Sequence, residues 1–377
     1  MSKLAFRAQT VDIAYLPLRQ DLFEISIWAT AWQSPADTMK CAMYYNNRDI
    51  RLEEIPVPKI GPDELLVQMH ACGLCGSDVL EWYRAKKAPL VLGHEMTGEI
   101  VAVGENVKRY SVGDRVFVSH HVPCNTCHYC LNGHHTVCDT LRTTNFDPGG
   151  FAEFIRVPGI NVDRGVFLLP DEMSYEEGTF IEPLACVLRG QRAANLRPSQ
   201  TVLIIGGGIA GLLHLKLAQA LGASSVVVTD IHEKRLAFAQ GCGAKATFLA
   251  HDFRPEHLRE VNNGRLADLA IVATGAVDAI HMTWKCVDRG GTVLVFAPPE
   301  PGTDLALPLY DIWHDGITIT TAYGGSPLDI SQAIELIRSK TVVVNDMITH
   351  RFPLARASEG FALVEKAQDS IKVIIQP

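Results

Sequence analysis

Four cysteines stand close together as C-x2-C-x2-C-x7-C: Cys124, Cys127, Cys130 and Cys138. Four thiolates at this spacing can enclose one tetrahedral Zn2+, and a set with no position left open is structural. An iron–sulfur cluster also takes four cysteines, but its usual bacterial run is C-x2-C-x2-C-x3-C followed by proline. Here Asp139 follows Cys138. A second set is scattered along the chain: Cys75 in GLCGSD, His94 and Glu95 in GHE, and Glu182 in EPLAC. Thiolate, imidazole and carboxylate are all zinc ligands, and three of them leave one position for a substrate. Cys72 and Cys75 also form a CxxC, the spacing of a redox pair. The order of all the signatures ahead of a glycine turn favours metal.

That turn lies in TVLIIGGGIAGLLHLKLAQALGASSVVVTD, residues 201–230. An apolar β-branched run leads into Gly206, Gly208 and Gly211, which fit G-x-G-x-x-G, and an amphipathic segment beginning at Ile209 follows. The first glycine permits the tight turn, the second admits a pyrophosphate, and the third lets helix and sheet approach. The N–H groups at the start of the helix then face the phosphates. Asp230 ends the second apolar run, where a carboxylate accepts hydrogen bonds from a ribose 2′-OH and repels a 2′-phosphate. Ile231, His232 and Glu233 come next, and the first basic residues are Lys234 and Arg235. NAD is therefore expected rather than NADP; a helix-capping role is the competing use of Asp230.

These residues need a scaffold, and the chain is long enough for two domains at 377 residues. Its hydrophobic content of 47% with 20% charged residues is that of a globular protein with a substantial core. A formal charge of −8 disfavours nonspecific binding to nucleic acid or anionic membranes. No apolar run reaches the roughly 18–20 residues of a membrane span. No basic region followed by an apolar core begins the chain, so no secretory signal is expected. Ten cysteines then point to thiols and metal in a cytoplasmic protein.

Residues 1–38 lack a sustained helical or alternating period, and Met39 reads as a second plausible start. They are either an arm that packs on a partner subunit or a run outside the native protein. From Lys40 to Val122 short β segments alternate with turns at Gly61-Pro62, Gly104 and Gly113-Asp114. The cysteine lobe at 124–138 follows, then a β segment in GGFAEFIRVP. One helix is expected over 174–197, opened by a Ser174–Glu177 capping box. Strands and helices alternate to Tyr323, with strands in LADLAIVATG, GGTVLVFAP and ITITTAYG. The tail predicts helices near 328–339 and 355–367 and a last strand, IKVII.

From about Met39 to Pro377 the chain resembles the zinc-dependent medium-chain alcohol dehydrogenases, most of all the polyol and threonine dehydrogenase branch. The resemblance implies an α/β protein: a GroES-like β-rich catalytic domain, 39–182 with 325–377, around a Rossmann doubly wound parallel-sheet domain, 183–324. It implies a catalytic zinc on Cys75, His94 and either Glu95 or Glu182, a structural zinc on the four clustered cysteines, and NAD held by Gly206, Gly208, Ile209, Gly211, Asp230 and Arg235. Ser77 matches a proton-relay Ser/Thr, and Asp78 is expected to orient His94. Lys372 matches a basic residue near the cofactor phosphates and near the glutamate beside the zinc-binding His. Relatives are dimers or tetramers.

Two departures bear on substrate. A relay His common five residues after the zinc Cys is replaced by Leu80, and an Arg-Tyr pair of polyol enzymes is replaced by Ala322-Tyr323. Arg84, Lys86 and Lys87, between Asp78 and GHE, could attract an anionic group or form a solvated face. The expected reaction is hydride transfer from a secondary alcohol, polyol or sugar-like, to NAD. The alternatives are a threonine-type or anionic hydroxy substrate, or a non-catalytic nucleotide-binding protein on the same fold.

Overall fold

The computed structural model describes residues 37–377, so the reading of residues 1–36 lies outside the described residues. Thr38, at the edge of the expected extension, is already in the first strand. The first eight strands are β1 (Thr38–Asn46), β2 (Asp49–Pro56), β3 (Leu65–Leu74), β4 (Leu90–Val91), β5 (Glu95–Val103), β6 (Arg115–Val118), β7 (Phe154–Val157) and β8 (Val166–Leu168). Then come β9 (Thr201–Ile205), β10 (Ser225–Asp230), β11 (Ala246–Leu249), β12 (Ala267–Val272), β13 (Val287–Val295) and β14 (Thr318–Thr321), and last β15 (Ile348–Pro353) and β16 (Lys372–Gln376).

Strands β9 to β14 form one parallel sheet in the order β11-β10-β9-β12-β13-β14. The chain starts in the middle, winds to one edge, then crosses and winds to the other, the doubly wound order of dinucleotide-binding sheets. Both faces are covered. Val202, Ile204, Val226 and Val228 join one buried cluster, while Leu203, Ile205 and Val227 join another on the opposite face. That is why TVLII reads as an unbroken apolar run and not as an alternating one.

The remaining strands build two sheets, β2-β1-β4 and β15-β16-β3-β5-β6-β8 with β7 added on β3. Their core includes Tyr44, Met69, Met96, Phe151 and Phe361. The last strand, β16, pairs antiparallel with β3, so the end of the chain closes the sheet that carries the first metal-ligand candidate.

The expected helix over 174–197 is two helices, Tyr175–Gly178 and Ile181–Ala193, with Thr179 and Phe180 between them. The capping box is present: Glu177 N donates to Ser174 Oγ at 3.1 Å, and Ser174 N to Glu177 Oε2 at 2.9 Å. The helices of the tail lie at Pro327–Arg338 and Ala357–Lys366, close to where periodicity puts them. The strand expected in ITITTAYG stops at Thr321, before Tyr323. Among the described residues no helix is long and apolar enough to cross a membrane.

Candidate active site and metal centres

The four clustered cysteines converge: their sulfurs all lie within 4.8 Å of one another. Cys124 and Cys130 are 4.0 Å apart and Cys127 and Cys130 3.6 Å. A tetrahedron with Zn–S bonds of about 2.3 Å has edges of about 3.8 Å, so the set fits zinc without rearrangement. None of the ten cysteines is in a disulfide. The N–H groups of Thr126 and Cys127 point at Cys124 Sγ and bring its thiol down to about 5, whereas burial pushes Cys130 up to about 12. Backbone N–H groups thus favour the thiolate form at Cys124 and Cys138, the form a metal binds.

The second set is assembled from the ends of β3 and β5. Cys75 follows β3 and caps a single 3-10 turn, Gly76–Val79, its sulfur 3.4 Å from Ser77 N. Cys75 N in turn donates to Asp78 Oδ2 at 3.1 Å. His94 comes just before β5, and Glu95 is its first residue. One ligand atom from each of Cys75, His94 and Glu95 lies within 4.8 Å of the others. Asp78 is fully buried, with Oδ1 3.4 Å from His94 Nδ1. Its position turns the ring so that Nε2 is left for a metal, the usual arrangement of a carboxylate behind a ligand imidazole. Burial works against a charged His94, but Asp78 and Cys75 outweigh it and raise its pKa well above the ordinary value.

Glu182, in the first turn of Ile181–Ala193, stands outside that group of three. Its Oε1 accepts from Cys186 Sγ at 3.2 Å, one helical turn on, and burial raises its carboxyl pKa against the opposing charge of His94. Glu95 is engaged as well. Its Oε2 pairs with Lys372 Nζ, which also donates to the Thr179 carbonyl at 3.2 Å and lies 4.9 Å from the Phe180 ring centroid. The lysine is 0% exposed, and the contacts described for it are to Glu95, Thr179 and Phe180. The contact with the glutamate beside His94 is present, and space for it exists because position 73 carries no side chain. A Cβ on Gly73 would lie 2.2 Å from Glu95 Oε2 and 2.3 Å from Lys372 Nζ.

Arg84 also departs from its expected place. It does not offer its charge to solvent with Lys86 and Lys87, which are exposed. Its Nε donates to the Ser77 carbonyl at 3.0 Å and its Nη2 to Ser77 Oγ at 3.0 Å. Sequence spacing alone contained no signal for this, since a seven-residue reach depends on the short helix Glu81–Arg84 doubling back. Also unforeseen is a histidine pair after β6: the His120 ring centroid lies 3.8 Å from that of His121 and 4.9 Å from that of His94, both pairs tilted, and its buried Nδ1 has no partner among the described residues. Burial holds His121 down at about 4, so it is neutral at physiological pH. Tyr323 is half-exposed, and burial, with Tyr83 beside it, pushes its phenol up to about 12.

At the glycine turn Gly206 has φ +107°, open to a residue without Cβ. A Cβ on Gly211 would lie 1.8 Å from the Gly206 carbonyl oxygen, so only glycine lets the helix Ile209–Ala220 sit against the turn. Gly208 is its N-cap and supplies no side chain, so N–H groups face outward there, as a pyrophosphate requires. Asp230 both borders this turn and braces it, accepting from Gly207 N at 2.7 Å and His232 N at 2.8 Å. Arg235 Nη1 is 3.8 Å from Asp230 Oδ2 and 3.6 Å from where a Gly208 Cβ would be. Its buried Nε has no partner among the described residues.

A doubly wound sheet with a glycine cradle, in one chain with a thiolate–imidazole–carboxylate cluster, defines a metal-dependent pyridine-nucleotide dehydrogenase. Comparison with known proteins sharpens this. Residues 61–170 match the alcohol dehydrogenase GroES-like domain and 210–339 the zinc-binding dehydrogenase domain. The chain is 34% identical over 340 residues to the sorbitol dehydrogenase of Mus musculus, covering 87% of this chain and 93% of that one. It is 31% identical over 334 residues to the L-threonine 3-dehydrogenase of Bacillus licheniformis, covering 86% and 94%. The crystal structure of an alcohol dehydrogenase from Thermus sp. ATN1 superposes with a TM-score of 0.81 at 27% identity, covering 90% and 99%. The chain belongs to the zinc-binding medium-chain dehydrogenase family, and it is an NAD-dependent zinc alcohol dehydrogenase.

Proposed function

We propose that the chain oxidises a secondary alcohol carrying further hydroxyls, a polyol or sugar-like molecule, to the ketone. The observation that carries this reading is the convergence of Cys75, His94 and Glu95 beside Ser77. When bound, zinc supplies the Lewis acidity that makes the substrate hydroxyl acidic, and NAD the hydride acceptor. Cys75 and His94 hold the metal in this reading. Glu95 is the third ligand in the arrangement described, and Glu182, held by Cys186, is the alternate. Asp78 keeps the His94 ring in place, and Ser77 Oγ receives the substrate proton. The nucleotide lies along Gly206, Gly208, Ile209 and Gly211, its ribose toward Asp230 and Arg235. The same reading divides the chain into a catalytic domain, 39–182 with 325–377, and a dinucleotide domain, 183–324.

Neutral His120 and His121 near His94 support a substrate with several hydroxyls, since each imidazole both donates and accepts a hydrogen bond. The threonine-type reading has its support in the relative from Bacillus licheniformis. The engagement of Arg84 by Ser77 and Asp78 counts against an anionic substrate. We also infer a homo-oligomer, dimer or tetramer. Strand β14 is a sheet edge, and Leu309, Tyr310 and Trp313 ahead of it are each at least 70% exposed, a surface suited to a second copy. Free thiols throughout fit the cytoplasm.

The test is a screen of the purified, zinc-replete protein for NADH formation with simple alcohols, polyols, threonine and hydroxy acids, each with NAD and NADP. Turnover of a polyol with NAD is the expected result. Turnover of threonine alone would replace the polyol reading, and a non-catalytic protein would bind NAD and stay silent on every substrate.

A further inference from the structure

Ser77 has a partner that proton transfer does not itself require. The guanidinium of Arg84 is fixed by three acceptors: Ser77 O at 3.0 Å, Ser77 Oγ at 3.0 Å and Asp78 Oδ1 at 3.3 Å. The ring centroid of Tyr83 lies 4.7 Å from its carbon, and the side chain is only 15% exposed. Asp78 Oδ1 is the same oxygen that lies 3.4 Å from His94 Nδ1. One cation therefore touches both the hydroxyl of the proton path and the carboxylate that sets the metal-ligand ring. Position 80, where an imidazole could have taken a proton onward, is Leu80.

A guanidinium donates and never accepts, whereas a serine hydroxyl has one proton and two lone pairs. With Arg84 on one lone pair, a single lone pair and a single O–H remain. For alcohol oxidation the lone pair takes the substrate proton while the O–H points to the outgoing acceptor, water or a ribose hydroxyl, and carbonyl reduction runs through the same two contacts in reverse. We propose that Arg84 is the positioning residue of Ser77, which orders the hydroxyl as a proton carrier between substrate and outgoing acceptor in a chain that lacks an imidazole at position 80. In the step itself the substrate O–H proton adds to Ser77 Oγ while the proton already on Oγ leaves outward. The carbinol C–H electron pair departs with its hydrogen as hydride to NAD, leaving a carbonyl, NADH and one released proton.

The proposal rests on the dehydrogenase reading above, and the experiment separates the two. Zinc-replete wild type, Arg84→Met, Arg84→Lys, Ser77→Ala and the double variant Arg84→Met/Ser77→Ala are compared on the best alcohol. Arg84→Met is expected to lower kcat by about 10–100-fold, within the range that a positioned proton-transfer group contributes. KM for NAD stays within about twofold, because the nucleotide cradle is not touched. Arg84→Lys recovers part of the loss, and free guanidinium added below denaturing concentration rescues Arg84→Met but not Ser77→Ala. If Arg84 acts through Ser77, the double variant is no slower than Ser77→Ala.

A second readout needs no turnover. In the metal-free protein, amide exchange over residues 76–80 should quicken about fivefold in Arg84→Met, the factor that one ordinary hydrogen bond is worth. Multiplicative losses in the double variant, or kcat for Arg84→Met within twofold of wild type, would overturn the proposal. So would unchanged exchange. A wild type that oxidises no alcohol would instead sink the dehydrogenase reading, whatever the exchange shows.

Discussion

Replacing Lys372 by Met keeps most of the side chain's length and removes its charge at a point that water does not reach. The lysine is 0% exposed and Glu95 1%, and a bare Gly73 leaves room for their contact. A buried pair broken from one side leaves an uncompensated carboxylate, which costs about 3–5 kcal/mol. Unfolding entropy near 2.1 cal/mol/K per residue comes to about 0.7 kcal/mol/K for about 340 residues, so the midpoint should fall by about 4–7 °C. Calorimetry of the metal-free protein is the assay, because a metal beside Glu95 would offer its carboxylate another cation. Adding Glu95→Gln to Lys372→Met removes the stranded charge and should return most of the loss. Gly73→Ala should reproduce the damage, since its Cβ would occupy the space of the Lys372 amine. A Lys372→Met midpoint within about 1 °C of wild type, or a double variant no better than the single, would refute the reasoning.

Cys130→Ser should lower bound zinc from two ions per chain to one by elemental analysis, and lower the thermal midpoint, because a closed four-sulfur site contributes folding energy. Gly211→Ala should weaken NAD at least about tenfold in a fluorescence titration, or about 1.4 kcal/mol, while leaving zinc content unchanged. Its Cβ would lie 1.8 Å from the Gly206 carbonyl oxygen, so helix and turn must separate by more than 1 Å. Glu177 offers a pH signature. Burial alone would raise its carboxyl pKa, but Lys340 and Ser174 hold it below its ordinary 4.5. A lowered folded value means stability that is present above pH 4.5 and lost as pH falls through the lowered value. Glu177→Gln should therefore be less stable than wild type in urea at neutral pH, with the gap closing in acid.

The parallel sheet was legible because its inner strands β9, β10 and β12 are buried on both faces and bounded by turn residues, which leaves apolar runs in the chain. The break at Thr179 and Phe180 was not. Residue type gives no stop signal at either position, and Met173 before the break and Ile181 after it pack into one buried cluster. Phe180 is fully buried with its ring beside the Lys372 amine, a demand set by packing. Ser174 and Glu177, three apart, cap their helix as their spacing implies, since both partners belong to one turn.

The same contrast runs through the site. Cys124, Cys127, Cys130 and Cys138 lie within one short lobe, and Gly206, Gly208 and Gly211 within one strand-to-helix turn, so residue type and spacing determined their geometry. Asp230, at the end of the adjacent parallel strand, was almost as local. Lys372 and Arg84 are different, because each has a long flexible side chain that could reach solvent, a phosphate or a carboxylate. Which partner each one takes was decided by the tertiary structure. The pairing of β16 with β3 buries the Lys372 amine where Glu95 is the carboxylate it pairs with, and the short helix after Leu80 folds Arg84 back over Ser77 and Asp78. A buried charge must take whatever opposite charge is within reach, and only the packed chain determines what that is.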